Sequence, residues 1–210
     1  VAVFDPEYTG VADNARRTAA KSIHNYFFLK GLDAAREGGI VAFITSEGVL
    51  NSPKNELVRR HIVKNANIVS VVRLPNNLFT DHAGTEVGSD LVILQKDTKK
   101  NRELSEQEKR FIRATDIGDG IIENEYTMSV APLPNTKTQH GTDPYGKPAL
   151  LTIHQGGIRA MGEDLKEHLD IAVSANLNID LYNRYRQGAP EVKLETEKPA
   201  AKETVQLEPE

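Results

Sequence analysis

The sequence predicts an α/β fold, and three apolar runs carry that expectation. Ile40-Val41-Ala42-Phe43-Ile44 has no polar break, Ile68-Val69-Ser70-Val71-Val72 follows, and Leu91-Val92-Ile93-Leu94 comes third. Short runs rich in β-branched residues suit strands, and an unbroken one suits a strand buried on both faces of a parallel sheet. Between the first two, Asn51 to Pro53 carries turn chemistry, and Leu57, Val58, His61 and Ile62 follow a helical pattern. Between the second and third lies a long loop holding Leu74-Pro75-Asn76-Asn77-Leu78-Phe79 and Gly84-Thr85-Glu86-Val87-Gly88. Strand, helix, strand, long loop, strand is half of an α/β sheet.

Taken in order, residues 1–14 read as a loop, because Asp5-Pro6, Thr9-Gly10 and Asp13-Asn14 are turn formers. Val1-Ala2-Val3-Phe4 reads like the middle of a domain, so a piece of a longer polypeptide is expected. Asp13 or Asn14 suits the cap of a helix from Ala15 to Glu37, which Gly38-Gly39 stops. Gly31 inside that helix costs about 1 kcal/mol relative to Ala, which points to a kink or close packing there. Arg16, Arg17 and Lys21 in its first turns are candidate phosphate contacts, with a solvated helix face as the plainer reading.

After Lys96 the character changes to an α+β extension over residues 97–186. Asp97 to Lys109 reads as a loop and a short helix, Phe111 to Ala114 as a short strand, and Gly118 to Gly120 as a turn. Residues 123–148 read as an extended excursion, Ala149 to Ile153 as a strand, and Met161 to Leu169 and Leu177 to Tyr185 as helices. Residues 187–210 are rich in Glu, Lys, Pro and Ala and hold no aromatic, a composition expected to stay disordered.

The 210 residues suffice for a domain plus an appendage. No cysteine is present, which excludes disulfides and thiolate metal sites and fits the cytoplasm. No apolar run approaches a membrane span. The net charge of −4 does not announce a nucleic-acid binder. It is uneven: residues 1–96 hold 11 Lys/Arg against 10 Asp/Glu, and residues 97–210 hold 15 against 20. Any basic surface must therefore be local.

Gly39 to Ile44, Gly48-Val49-Leu50, Leu74 to Phe79 and Ile93-Leu94 together resemble the C-terminal half of an adenine-N6 DNA methyltransferase domain. The likeness extends to modification subunits of type I restriction systems. It is closer to the methylase–helicase polypeptides of bacterial mobile elements, where a stretch like Ser22-Ile23-His24-Asn25-Tyr26-Phe27-Phe28-Leu29-Lys30-Gly31 precedes the strand. The resemblance covers residues 1–96. It implies a partial Rossmann-like class I methyltransferase fold whose fifth, sixth and seventh strands are the three runs, the seventh inserted antiparallel between the others. It also implies S-adenosylmethionine as cofactor and DNA as partner of the full-length protein. In this family the loop like Leu74 to Phe79 lies beside the target-base pocket. Phe79 would stack on the extruded base, and Asn76 and Asn77 would offer amides to base edges or phosphates. Independently, Thr45, Ser46, Glu47 and Asn51 follow the C-terminal end of the first run, where α/β sheets bind ligands.

The motifs that carry the family's chemistry are missing. The one Gly-x-Gly, Gly118-Asp119-Gly120, follows no suitable strand, and there is no Pro-Pro pair. Asp5-Pro6-Glu7-Tyr8 and Asp143-Pro144-Tyr145-Gly146 each lack the second proline of the catalytic Asn/Asp-Pro-Pro-Phe/Tyr segment and read as turns. Gly84 to Gly88 lacks the Gly-Lys-Ser/Thr ending of a phosphate loop. The six histidines show no metal spacing. No catalytic residue is therefore assigned, and the chain alone is expected to be inactive and free of cofactor. The alternative is a non-catalytic DNA-binding or protein-interaction module that keeps half of this fold; an RNA or protein methyltransferase is a third reading. The edge of Ile40 to Ile44 is expected to be covered by Val1 to Phe4 or by a second copy.

Overall fold

The computed structural model describes residues 5–80, 86–100 and 103–185. The expected disordered tail (187–210) and the expected strand cover (Val1 to Phe4) lie outside the described residues. A three-stranded sheet of β1 (Ile40–Ser46), β2 (Ala66–Leu74) and β3 (Ser89–Lys96) forms the centre. Its order is β1-β3-β2, with β3 antiparallel to both neighbours. β1 and β2 therefore run in the same direction without touching, and helix α5 (Glu56–Asn65) lies between them in sequence.

Cross-strand partners share a face, and the register sorts the side chains. Val41, Val92, Leu94 and Val71 belong to one buried cluster with Phe28, Leu29 and Leu32 of α3 (Ile23–Ala34) and Val58 and Ile62 of α5. Val72, Leu74 and Leu91 point the other way and meet Leu133 and, on the helix Ile158–Asn176, Leu165 and Leu169. Helices thus lie on both faces of β2. The bulge between Ile68 and Ser70 frees the Val69 carbonyl to accept Asn176 Nδ2 at 3.0 Å.

β1 departs from the expected burial on both faces. Its exposure alternates, and Ile40 and Ile44 are 45% and 58% exposed. The helix Ile158–Asn176 packs on β2, and among the described residues β1 has only β3 as a strand partner.

The helix expected from Ala15 to Glu37 is two helices, α2 (Asn14–Ala19) and α3. The break falls at Ala20 to Ser22, where Ser22 is extended (φ −141°, ψ 125°). A straight helix could not place Ala15, Ala19 and Ala20 in the same core as Phe28 and Leu32; the break does. Asp13 caps α2 through Ala15 N–H and Arg16 N–H. Gly31 shows close packing and no kink: a Cβ there would lie 2.9 Å from the Phe43 ring.

The extension contains α6 (Glu106–Ile112), β4 (Ala114–Asp116), β5 (Ile122–Asn124), α7 (Glu125–Ser129), β6 (Thr136–Thr142), β7 (Pro148–His154), α8 (Ile158–Asn176) and α9 (Ile179–Arg184). Phe111 and Ile112 end a helix rather than open a strand, because Ser105 and Glu108 form a capping box that starts it. The expected excursion over 123–148 instead holds the end of β5, a helix and most of the β6–β7 hairpin.

Two buried polar side chains join the extension to the sheet. Arg59, fully buried, donates to the carbonyls of Ile112 (2.8 Å), Val49 (3.1 Å) and Ser52 (2.7 Å). Burial lowers its pKa to about 10, and the carbonyls at the ends of short helices receive its charge. Asn124 crosses from the extension by donating its N–H to Asn51 Oδ1 at 3.0 Å and its Nδ2 to the Leu50 carbonyl at 3.3 Å, while Nδ2 also donates to the carbonyls of Phe111 and Arg113, both at 2.9 Å. At the opposite end, Gln95 holds the α8–α9 joint by accepting from Asn178 N–H and donating to Asn178 O, both 2.9 Å.

Gly38 has φ +71°, and a Cβ there would collide with the Leu181 carbonyl of α9. Gly38→Ala should destabilise the protein by about 1–3 kcal/mol, since it combines left-handed strain with a backbone clash. Gly162 lies inside α8 with open space at its Cβ position, so Gly162→Ala should stabilise by up to about 1 kcal/mol. Urea unfolding of both variants checks the pair; a neutral Gly38→Ala would contradict the packing of α9 against the β1 entry.

Candidate strand-end site

β2, β3, β5 and the residue that follows β1 bring charged side chains together at one end of the central sheet. Arg73 on β2 and Asp90 on β3 are cross-strand partners, and Arg73 Nε donates to Asp90 Oδ1 at 2.6 Å. The same guanidinium reaches Glu123 Oε2 of β5 at 3.2 Å and Glu47 Oε2 at 3.4 Å. Its Nη2 donates to Asn51 Oδ1 at 3.2 Å, and that oxygen also accepts Asn124 N–H at 3.0 Å. Glu47 is the first residue after β1. Its N–H donates to the Gly88 carbonyl at 3.1 Å, and its carboxylate lies over Gly88, where a Cβ would collide with it.

One guanidinium thus faces three carboxylates, and all four side chains are largely buried. Burial raises the Glu47 carboxyl to about 7; Arg73 pulls it down, while Glu123 and Asp90 push it up again. Burial raises Glu123 as well, with Arg73 opposing. Glu47 Oε2 and Asp90 Oδ2 are buried without a hydrogen-bond partner. The cluster therefore has acceptor capacity left over.

A cleft of about 620 Å³ opens beside this cluster. Its walls include Ser46, Glu47, Asn51 and Glu123, together with Tyr145 and Lys147 from the β6–β7 turn. That volume falls within the range of about 300–1,000 Å³ usual for small-molecule pockets. An acid floor accepts hydrogen bonds from amines, and a protonated Glu47 can also donate one.

Of the sequence candidates, Ser46, Glu47 and Asn51 line the cleft, and Thr45 is buried beside it with Oγ1 3.4 Å from His24 Nδ1. The Asn51 amide oxygen is occupied by Arg73 and Asn124. Asn76 and Asn77 are turned inward. Asn76 Oδ1 accepts Thr152 N–H at 2.8 Å, Asn77 Oδ1 accepts His154 N–H at 3.0 Å, and Asn77 Nδ2 donates to His154 O at 3.1 Å. Their amides extend the edge of β7, so neither is presented to base edges or phosphates. Phe79 is half-buried and belongs to neither apolar cluster. Arg16 is drawn into ion pairs with Asp13 (3.0 Å) and Asp33 (2.8 Å), and Arg17 bonds the Val11 carbonyl and Asn14. Lys21 remains on the surface. These three basic residues lie on α2 and the turn after it and do not line the cleft.

Sequence reasoning missed Arg73, Asp90, Glu123, Tyr145 and Lys147. The available signal was a lone cation next to the apolar run of β2, with a lone acid at the mouth of β3. Among the described residues, no group of three or more His, Asp or Glu is placed to hold a metal ion. No described helix is long and apolar enough to cross a membrane.

The N-6 DNA methylase family model matches residues 6–137, more than half of the chain, and the chain belongs to that family. The match takes in the sheet, the Arg73 cluster and α6 to α7, and ends at the second residue of β6. No curated protein and no solved structure matches the chain.

Glu47 binds its proton more tightly when folded, at about 7, than at its ordinary value of 4.5. Between those values the folded state holds more protons than the unfolded one, so stability falls as pH rises through that window. Glu47→Gln should flatten this slope, leaving the part that Glu123 and Asp90 contribute, and gain about 1–3 kcal/mol relative to the wild type above neutrality. Urea unfolding at about pH 5 and about pH 8 reads it; two parallel profiles would place Glu47 in water.

Proposed function

We propose that this chain forms the target-base side of an S-adenosylmethionine-dependent adenine-N6 DNA methyltransferase. The observation that carries the reading is the acid-floored cleft at the ends of β1 and β2, inside the segment the family covers. Enzymes that modify a base extrude it from the stack into a pocket. An adenine amine donates hydrogen bonds, and the Glu47 and Glu123 carboxylates that line the cleft are acceptors for them. Phe79 does not line this cleft; half-buried at the end of the Leu74 to Phe79 segment, it is the stacking candidate that the sequence resemblance supplies.

The one Gly-x-Gly that could serve a methyl donor is Gly118-Asp119-Gly120. Gly118 and Gly120 sit in the open β4–β5 turn, where an added Cβ meets nothing within 4 Å. With no Pro-Pro pair in the sequence, the catalytic segment and the donor site come from a complementing segment, and the chain alone is inactive. Type I restriction–modification systems and mobile-element polypeptides are the settings the sequence resemblance suggests. Among the described residues the outer edge of β1 has no strand partner, which suits a strand of that complementing segment or of a second copy. The missing motifs equally favour a non-catalytic DNA-binding module, which would bind DNA without ever methylating it.

Calorimetry with the purified chain should show no S-adenosylmethionine binding; a low-micromolar dissociation constant would overturn the division of labour. A duplex with one unpaired adenine should bind more tightly than the paired duplex, because part of the few kcal/mol of extrusion is already spent. Phe79→Ala should reduce that advantage about tenfold if the ring stacks on the base. A core phenylalanine would instead cost about 3–5 kcal/mol of stability, which a melting curve separates.

A further inference from the structure

The β6–β7 hairpin lies almost wholly beyond the family segment, yet its turn forms one wall of the cleft. We propose that this hairpin is a nucleotide clamp: the Tyr145 ring stacks on the extruded base, and the Lys147 ammonium holds its phosphate.

The turn is built to hold one conformation. Asp143 Oδ1 accepts the N–H groups of Tyr145 and Lys147, both at 2.8 Å. Gly146 takes φ +78°, the left-handed geometry that closes such a hairpin. Asp143 N–H donates to the Lys147 carbonyl at 2.8 Å and Gly146 N–H to the Asp143 carbonyl at 2.9 Å. Tyr145 is nevertheless 88% exposed, the most exposed of the large apolar side chains. A fixed backbone presenting a bare aromatic ring at a cleft mouth loses little entropy when the ring stacks.

The base of the hairpin is fixed as well. Asn76 and Asn77 hold the Thr152 and His154 backbone, and His154 Nε2 pairs with Asp164 of α8 at 2.9 Å. These contacts tie the hairpin to the Leu74 to Phe79 segment, so both aromatic candidates, Phe79 and Tyr145, sit on one connected unit. Among the described lining residues, Lys147 is the one lysine or arginine besides the acids Glu47, Glu123 and Asp143. That arrangement separates the two charges of a nucleotide's needs: acceptors on the floor for an amine, and a cation on the hairpin for a phosphate. Every base has a face to stack on, so the clamp adds affinity without adding sequence choice.

The inference rests on the proposed DNA function, and the test separates the two. Fluorescence anisotropy would compare a labelled duplex carrying a bulged adenine with its fully paired form. Tyr145→Ala should lower affinity for the bulged duplex about tenfold and leave the paired duplex unchanged, while Tyr145→Phe retains binding. Lys147→Ala should weaken both duplexes alike and lower the salt slope by about 1. The exposure of both side chains means that melting temperatures should not move. A wild type that prefers the bulged duplex, with that preference intact in Tyr145→Ala, overturns the clamp and leaves the DNA reading standing. A wild type that binds neither duplex overturns the DNA reading, and the clamp with it.

Discussion

Arg73 is the single cation for three carboxylates, and the strand-end site depends on where it sits. It comes from β2, its strand partner Asp90 from β3, Glu47 from the end of β1 and Glu123 from β5. Removing two opposite charges from water costs several kcal/mol per ion unless geometry and hydrogen bonds compensate. Here the compensation is uneven, since two carboxylate oxygens have no hydrogen-bond partner. The protein keeps an acid surplus next to a cleft, where burial raises the Glu47 carboxyl to about 7 and Glu123 and Asp90 add to the rise. Such perturbed groups cluster at functional sites more often than elsewhere.

The sheet and the extension are one connected structure rather than a domain with a loose appendage. Arg59 and Asn124 fill the carbonyl ends of α6 and of the segment after β1. Gln95 fixes the α8–α9 joint, and the Asn76-Asn77 pair fixes β7. Each of these is a buried amide or guanidinium satisfied by backbone, the arrangement that makes a polar interior specific. The consequence for function is positional. The base of the hairpin and the Leu74 to Phe79 segment are held to one another by hydrogen bonds and not by apolar contact alone.

Much of the central fold was legible. Continuous β-branched runs gave the three strands, and helical spacing at Leu57, Val58, His61 and Ile62 gave α5. The position of Glu47 and Asn51 after a strand end gave part of the cleft. Other features were hidden for physical reasons. β6, Thr136–Thr142, is almost wholly exposed, so no apolar alternation marks it. The break between α2 and α3 falls in a run of good helix formers, where tertiary packing of small alanines overrides propensity. Asn76 and Asn77 look like base-reading amides in sequence; only the structure shows β7 occupying them. Ser105 and Glu108 form a capping box legible ahead of Phe111 and Ile112, and it outweighs the strand propensity of that apolar pair.

The most direct measurement is the stability of Arg73→Met, followed by urea unfolding at about pH 8, alone and combined with Asp90→Asn and Glu123→Gln. Losing the cation leaves buried carboxylates uncompensated and should cost about 3–5 kcal/mol. Neutralising two of those carboxylates should recover most of the loss, because the penalty is electrostatic and the volumes hardly change. A stable Arg73→Met protein, or a triple variant no better than the single one, would show that the cluster does not organise this end of the sheet.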